Sequence, residues 1–141
     1  MEKEKPRSRG GAFCSTNPNT KIGIRVGFAD TVTGNPPSNG IWFENVSGTS
    51  AANWAGNVKS GAMSTPANGT VALDTNFHTF EIRNDGVNNI TFWIDGSQYG
   101  NTVTTNVPAG ALQPFFQIIN TEAQNKALDI DAFQFTMTVS R

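Results

Sequence analysis

Three tryptophans and one charged pair are the residues of this sequence best suited to bind a ligand or a partner. Trp93 faces Glu81 and Arg83 across a predicted hairpin, so an aromatic ring lies beside hydrogen-bonding groups. Indole rings stack on sugars, and they also concentrate with arginine in protein interfaces. Strand periodicity directs two of the three rings away from the core. We predict a ligand-binding or interface surface formed by Trp93, Trp42, Trp54, Glu81 and Arg83, and of these two uses we favour the interface.

No residue set in the sequence matches a catalytic or metal-binding arrangement. His78 is the only histidine, and no Gly-x-Ser-x-Gly segment supplies a nucleophile for it. Its parity matches that of Phe80, so we predict a histidine at the edge of the core that donates to a loop carbonyl. Cys14 is the only cysteine, which excludes an internal disulfide, and the aspartates fit no calcium-binding loop. We predict no enzyme activity, no metal and no cofactor.

The first twenty residues are predicted to form an arm that precedes a single domain at 21–141. Residues 1–11 contain four basic and two acidic side chains, which leaves a net charge of +2 there and −3 in the rest of the chain. Gly10 and Gly11 follow, and no apolar periodicity appears before residue 20. A solvated tail and an arm that orders on a partner both fit this pattern. In the second interpretation the docking residues are Lys3, Lys5, Arg7 and Arg9.

The composition favours one all-β domain. Of the 141 residues only 15% are charged, while 14 are glycine and 7 are proline, which suits short strands and many turns better than helices. A net charge of −1 argues against a nucleic-acid partner. The sequence has neither an apolar run of membrane-spanning length nor a hydrophobic signal core. We therefore predict a protein made in the cytoplasm that binds neither nucleic acid nor membrane.

Alternating apolar residues predict seven to nine short strands. The clearest element is a hairpin of 77–83 and 90–95, in which each strand has one apolar face and Asp95-Gly96 forms the closing turn. Residues 61–69 are predicted to be a loop. The other predicted strands are 22–28, 41–46, 54–59, 70–74, 113–120 and 128–139. In the last of them, a β-bulge near Asp131-Ala132 would keep Phe133 and Phe135 on the core side.

The order of several short motifs resembles a known family. IRVGF at 24–28 is followed by GIWFE at 40–44, FHTFEI at 77–82, FWIDG at 92–96 and LDID at 128–131. This order resembles that of concanavalin A-like jelly-roll domains, in particular those of bacteriophage virion proteins. The resemblance extends over roughly residues 21–139. It implies an antiparallel β-sandwich with the jelly-roll arrangement of strands.

The sequence departs from that family in two respects. Family members usually have further strands before the segment at 22–28, where this sequence has only the arm, so we predict a domain trimmed at its N-terminal edge. Glucanase members carry a Glu-x-Asp-x-(x)-Glu run whose carboxylates perform hydrolysis. This sequence lacks the run, and Asp129 with Asp131 does not replace it. The resemblance in fold therefore does not imply hydrolysis.

These observations predict a structural protein of a virion. We expect a capsid decoration protein, held on the major capsid protein or another virion protein by its arm and by contacts within a dimer or trimer. The alternative is a glycan-binding or receptor-binding module of a tail fibre or lectin, with a glycan bound at the exposed tryptophans. The expected location is the virion in both the capsid and the fibre interpretation.

Overall fold

Ten β-strands make up the part of the chain described by a computed structural model, which covers residues 12–15, 22–33, 36–46, 53–74, 76–120 and 128–136. Within these ranges there is no helix, and hence none long and apolar enough to cross a membrane. The strands are β1 (Ala12–Ser15), β2 (Ile22–Ala29), β3 (Asn39–Val46), β4 (Asn53–Ser60), β5 (Met63–Ala72), β6 (His78–Asn84), β7 (Ile90–Ile94), β8 (Ser97–Val103), β9 (Gln113–Asn120) and β10 (Leu128–Ile130).

The strands form two antiparallel sheets that pack face to face. The first sheet has the order β10-β1-β6-β7-β8, and the second has the order β5-β4-β3-β2-β9. β5 packs beside β8 along one side of the sandwich, so β9 and β10 border the opposite side. The prediction of an all-β antiparallel sandwich is confirmed.

The core lies between the two sheets and is formed by side chains of alternate parity. Phe43 of β3 makes edge-to-face contacts with Phe80 and Phe92 of the first sheet, with ring centroids 4.9 and 5.0 Å apart. These rings hold the sheets together through dispersion and through the burial of apolar surface. The other buried members are Ile24, Val26, Ile41, Trp54, Val58, Ala67, Ile90, Ile94, Tyr99 and Val103.

Two turns fix the register of the hairpins in the first sheet. Asp95 and Gly96 have φ angles of 52° and 78°, which suit the two-residue turn that joins β7 to β8. Between β6 and β7, a carboxylate oxygen of Asp85 accepts hydrogen bonds from the backbone N–H groups of Val87 and Asn89 at 2.8 and 3.0 Å. The predicted hairpin is thus confirmed together with its closing turn.

The predicted boundary of the arm is wrong, because residues 12–15 form β1. This strand pairs with β10 on one side and with β6 on the other, so it belongs to the first sheet. The expectation that only an arm precedes 22–28 is wrong for the same reason. Apolar alternation gave no signal for so short a strand, and its position depends on pairing with residues more than sixty positions away.

Three further strands differ from prediction. Residues 63–72 form β5 where a loop was predicted at 61–69; Pro66 is tolerated because β5 lies at the edge of its sheet. β8 was not predicted, since its sequence SQYGNTV is mostly polar. β10 ends at Ile130, so the bulged strand predicted through 131–136 is wrong. Residues 137–139 lie outside the described residues.

Candidate functional site

The structure places the three tryptophans in three different environments. Trp93 lies on the outer face of the first sheet, and Trp42 lies on the outer face of the second. Trp54 is a core residue, with its ring 4.7 Å from that of Phe80. Two of the three rings therefore point away from the core, as predicted, but they lie on opposite sides of the sandwich. The predicted surface is not one site.

Trp93, Glu81 and Arg83 do come together, in an arrangement that covers one face of the indole. The Arg83 Cζ atom lies 3.7 Å from the ring centroid. Both carboxylate oxygens of Glu81 accept hydrogen bonds from this guanidinium, at 2.8 and 2.9 Å. The indole N–H donates to Thr91 Oγ1 at 3.0 Å. The ring is half-buried, and its covered face and its N–H are already engaged within the chain.

Trp42 is also engaged, although it lies outside the core. Its ring lies close to Gly40, where an added Cβ would approach the indole to 2.9 Å. Its edge-to-face neighbour is Phe115 of β9, and only 2% of Trp42 is exposed. The indole N–H donates to Glu44 Oε2 at 3.0 Å. Trp42 therefore does not offer the open platform that the sequence predicted.

A buried ion pair completes this outer face of the second sheet. Arg25 Nε donates to Glu44 Oε2 at 2.9 Å, and Arg25 Nη1 donates to Gln117 Oε1 at 2.8 Å. Among the five strands of this sheet Glu44 is the only carboxylate. Hydrolysis of glycosides by the usual route needs two carboxylates across the scissile bond. Glu44 instead acts as the acceptor for an arginine and a tryptophan.

Asn57 has the one buried donor on this face that lacks an acceptor within the described structure. It lies opposite Trp42 in the register of β3 and β4, and it is 7% exposed. Its Nδ2 atom has no hydrogen-bond partner. A buried amide donor without an acceptor costs free energy.

Several exposed apolar side chains lie at the side of the sandwich bordered by β9 and β10, and the sequence analysis missed them. The rings of Phe133 and Phe135 contact Phe28 with centroids 6.1 and 5.8 Å apart, and Phe133 also lies 5.5 Å from Phe116. Phe135 nevertheless remains 60% exposed and Phe133 42% exposed. Both residues were predicted on the core side of a bulged strand; their rings instead lie partly exposed at the margin of the core, against Phe28 and Phe116. We call this surface the edge patch, formed by Phe28, Phe116, Ile118, Ile130, Phe133 and Phe135.

His78 lies between two carboxylates. The prediction that it donates to a loop carbonyl is therefore wrong. Its Nδ1 lies 2.7 Å from Asp95 Oδ2, and its Nε2 lies 2.9 Å from Asp74 Oδ1. Asp95 also accepts the N–H of Thr79 at 2.9 Å, and Asp74 accepts the N–H of Asn76 at 2.8 Å. The imidazole therefore links the segment after β5 to the turn between β7 and β8.

This arrangement predicts that stability depends on pH. Burial of the ring lowers the pKa of His78, but the hydrogen bonds and charges of Asp95 and Asp74 outweigh it, so the pKa lies above the ordinary 6.5. The histidine then stabilises the fold fully below pH 6.5 and loses this contribution as the pH rises through its folded pKa. For Asp74, burial raises the pKa, but hydrogen bonds from Asn76 and His78 lower it below 3.8. Its contribution is present above pH 3.8 and is lost in stronger acid.

We therefore expect the free energy of unfolding to be highest in mildly acidic solution and to decline as the pH is raised above 6.5 and through the folded pKa of His78. Urea titrations at a series of pH values measure this decline. His78→Gln serves as the control, because it retains a polar side chain without the charge, and it should remove most of the decline. An equal decline in the variant would contradict the role of His78.

The predicted docking residues of the arm, Lys3, Lys5, Arg7 and Arg9, lie outside the described residues. Their role stays a prediction.

Comparison with known proteins identifies a family. The model of the family described as SO2946-like, C-terminal domain, matches residues 12–131 of the chain. The match begins at the first residue of β1 and ends one residue after β10, so it spans both sheets. No curated protein matches the chain.

Proposed function

This chain belongs to the family of SO2946-like C-terminal domains, and we propose that it is a non-enzymatic structural protein that docks onto other protein chains of a virion. The observation that carries the proposal is the edge patch. Contiguous apolar surface that remains exposed on a folded domain usually marks an interface with another protein. Phe133 and Phe135 pack against the body of the sandwich and still present much of their rings to solvent.

The arrangement of the tryptophans supports docking over sugar binding. Trp42 and Trp54 are buried, and Arg83 covers one face of Trp93. A sugar would have to displace this guanidinium, together with its two bonds to Glu81, or use the remaining face of the ring. The glycan-binding alternative therefore stays a prediction that the geometry of these rings supports less well.

Glu44 is the only carboxylate in the five strands of the second sheet, which supports a non-enzymatic role. The virion as the place of docking is supported by the resemblance to concanavalin A-like domains of bacteriophage virion proteins. In this proposal the protein decorates a capsid, held by its arm and by contacts between copies.

The proposal predicts a high and regular copy number in virus particles. Quantitative mass spectrometry of gradient-purified particles from the source should give a ratio to the major shell protein of one, or of a simple fraction. A handful of copies would indicate a tail or fibre, and would make a glycan screen with Trp93→Ala the next experiment. Absence from particles would contradict the virion assignment.

The matched variant for this experiment lacks residues 1–11. It should be lost from the particles if the arm is a tether, while circular dichroism shows that the β-sandwich still folds. A deletion of residues 1–20 would be uninformative, because it also removes β1 from the first sheet. Retention of the variant at the full copy number would exclude the arm as the tether.

A further inference from the structure

Two acidic residues adjoin Ile130 of the edge patch along the chain. Asp129 and Asp131 flank Ile130, and both are exposed. Neither has an ion pair or a side-chain hydrogen bond within the described structure, where Arg25 is bound to Glu44 and Arg83 to Glu81. An exposed apolar edge whose neighbouring segment carries two exposed carboxylates fits a partner segment that is both basic and able to lie along that edge.

Residues 1–11 of the chain have the complementary charge pattern. The basic residues occur at every second position from 3 to 9, and the intervening residues are Glu4, Pro6 and Ser8. Successive side chains of an extended segment point to opposite sides, so an extended arm presents all its basic groups on one side. These groups are Lys3, Lys5, Arg7 and Arg9. Charge complementarity therefore connects the arm with the acidic edge.

The register of β1 directs the arm away from Asp129 and Asp131 of its own molecule. Phe13 pairs with Ile130, so one step further along the strands Ala12 is level with Asp131. An arm that continues along β1 carries Arg9 about 10 Å and Lys3 about 30 Å beyond that level. A return along β1 within the sheet is blocked, because β10 and β6 occupy both of its sides. The arm can reach the edge patch of a neighbouring molecule without turning back and without displacing β10 or β6.

We propose that the arm of one copy docks on the edge patch of the next, with its basic side opposite Asp129 and Asp131 and its backbone along the exposed rings. Donor and acceptor surfaces differ, so the contact is heterologous and closes into a ring when the rotation between copies permits. The inference rests on the proposed function, since it names the partner of the edge patch.

Sedimentation of the purified full chain tests this contact. At low salt the mass should exceed 15.1 kDa and should rise with concentration, and high salt should weaken association because it screens exposed charges. Two reversed proteins are then compared. The arm-reversed protein carries Lys3→Glu, Lys5→Glu, Arg7→Glu and Arg9→Glu. The edge-reversed protein carries Asp129→Lys and Asp131→Lys. Each alone should associate at least about tenfold more weakly than the native chain.

Mixing the two reversed proteins provides the decisive measurement. Each acidic arm then meets a basic edge, and each basic arm meets an acidic edge, so the mixture should recover the mass of the native assembly. A second pair of variants tests the apolar part: Phe135→Ser should weaken association, and Phe77→Ser should not. Phe77 is 58% exposed, close to the 60% of Phe135, but it precedes β6 and lies outside the edge patch.

Several outcomes would overturn the inference. The native chain could be monomeric at every protein and salt concentration. Association could also be unaffected by either reversal, or the mixture of the two reversed proteins could stay monomeric. A monomer whose thermal stability falls on arm reversal would place the arm on its own molecule and would also overturn it. Failure here is distinguishable from failure of the proposed function: a monomer that is abundant in particles rejects only the arm exchange, and an oligomer absent from particles rejects only the virion role.

Discussion

Replacement of Glu44 by alanine should lower the free energy of unfolding by about 3 to 5 kcal/mol, the range for removal of one partner from a buried ion pair. The Arg25 guanidinium would then keep its charge in a mostly buried position with its Nε acceptor gone. The Trp42 N–H would lose its acceptor at the same time. Urea unfolding, with the slope of the transition checked for a change in the denatured state, measures the loss.

Two further variants separate the charge from the packing around it. Glu44→Gln retains an oxygen acceptor, so its loss should be smaller than that of Glu44→Ala. The double variant Arg25→Met with Glu44→Leu removes both charges and should be more stable than Glu44→Ala alone. Asp129→Asn is the exposed control, with an expected change within about 0.5 kcal/mol. A loss below roughly 1 kcal/mol for Glu44→Ala would show that the pair behaves as a surface ion pair.

The strands that could be predicted from the sequence are those with a local pattern. β2 alternates apolar side chains with glycine or arginine over residues 22–28, β3 begins with the apolar run 41–43, β6 alternates over 80–83, and Asp95-Gly96 is a strong turn signal. β5 was missed because Pro66 and Gly69 read as a loop, and only its position at an edge makes the proline acceptable. Its pairing with β4 depends on the tertiary structure and cannot be predicted from the periodicity of its own residues.

The candidate sites show the same division between local and tertiary information. Trp93, Glu81 and Arg83 were grouped correctly because the register of one hairpin determines which side chains face each other. Parity also placed Trp42 outside the core. It gave no indication that Gly40 and Phe115, from different parts of the chain, would bury the ring there. The edge patch was missed because its residues meet only when β9 and β10 lie on the same side of the sandwich.

Phe43→Ala should cost about 3 to 5 kcal/mol, because it removes a buried ring that contacts both sheets. Phe43 is 1% exposed and lies in edge-to-face contact with Phe80 and Phe92. The space it leaves cannot close readily from the side of β4, where Gly56 lies opposite and the ring of Phe92 already fills the position of the missing Cβ. Thermal and urea unfolding measure the loss.

The matched control is Phe77→Ala, which removes the same ring from an exposed position and should change stability by no more than about 0.5 kcal/mol. Phe43 is not part of the edge patch, and Val26 lies between it and Phe116 in the register of the second sheet, so the Phe43 variant should still associate at temperatures where it remains folded. A folded Phe43→Ala protein with lost association would show that the edge patch depends on core packing between the sheets. Equal losses of stability for Phe43→Ala and Phe77→Ala would contradict the assignment of Phe43 as the centre of the core.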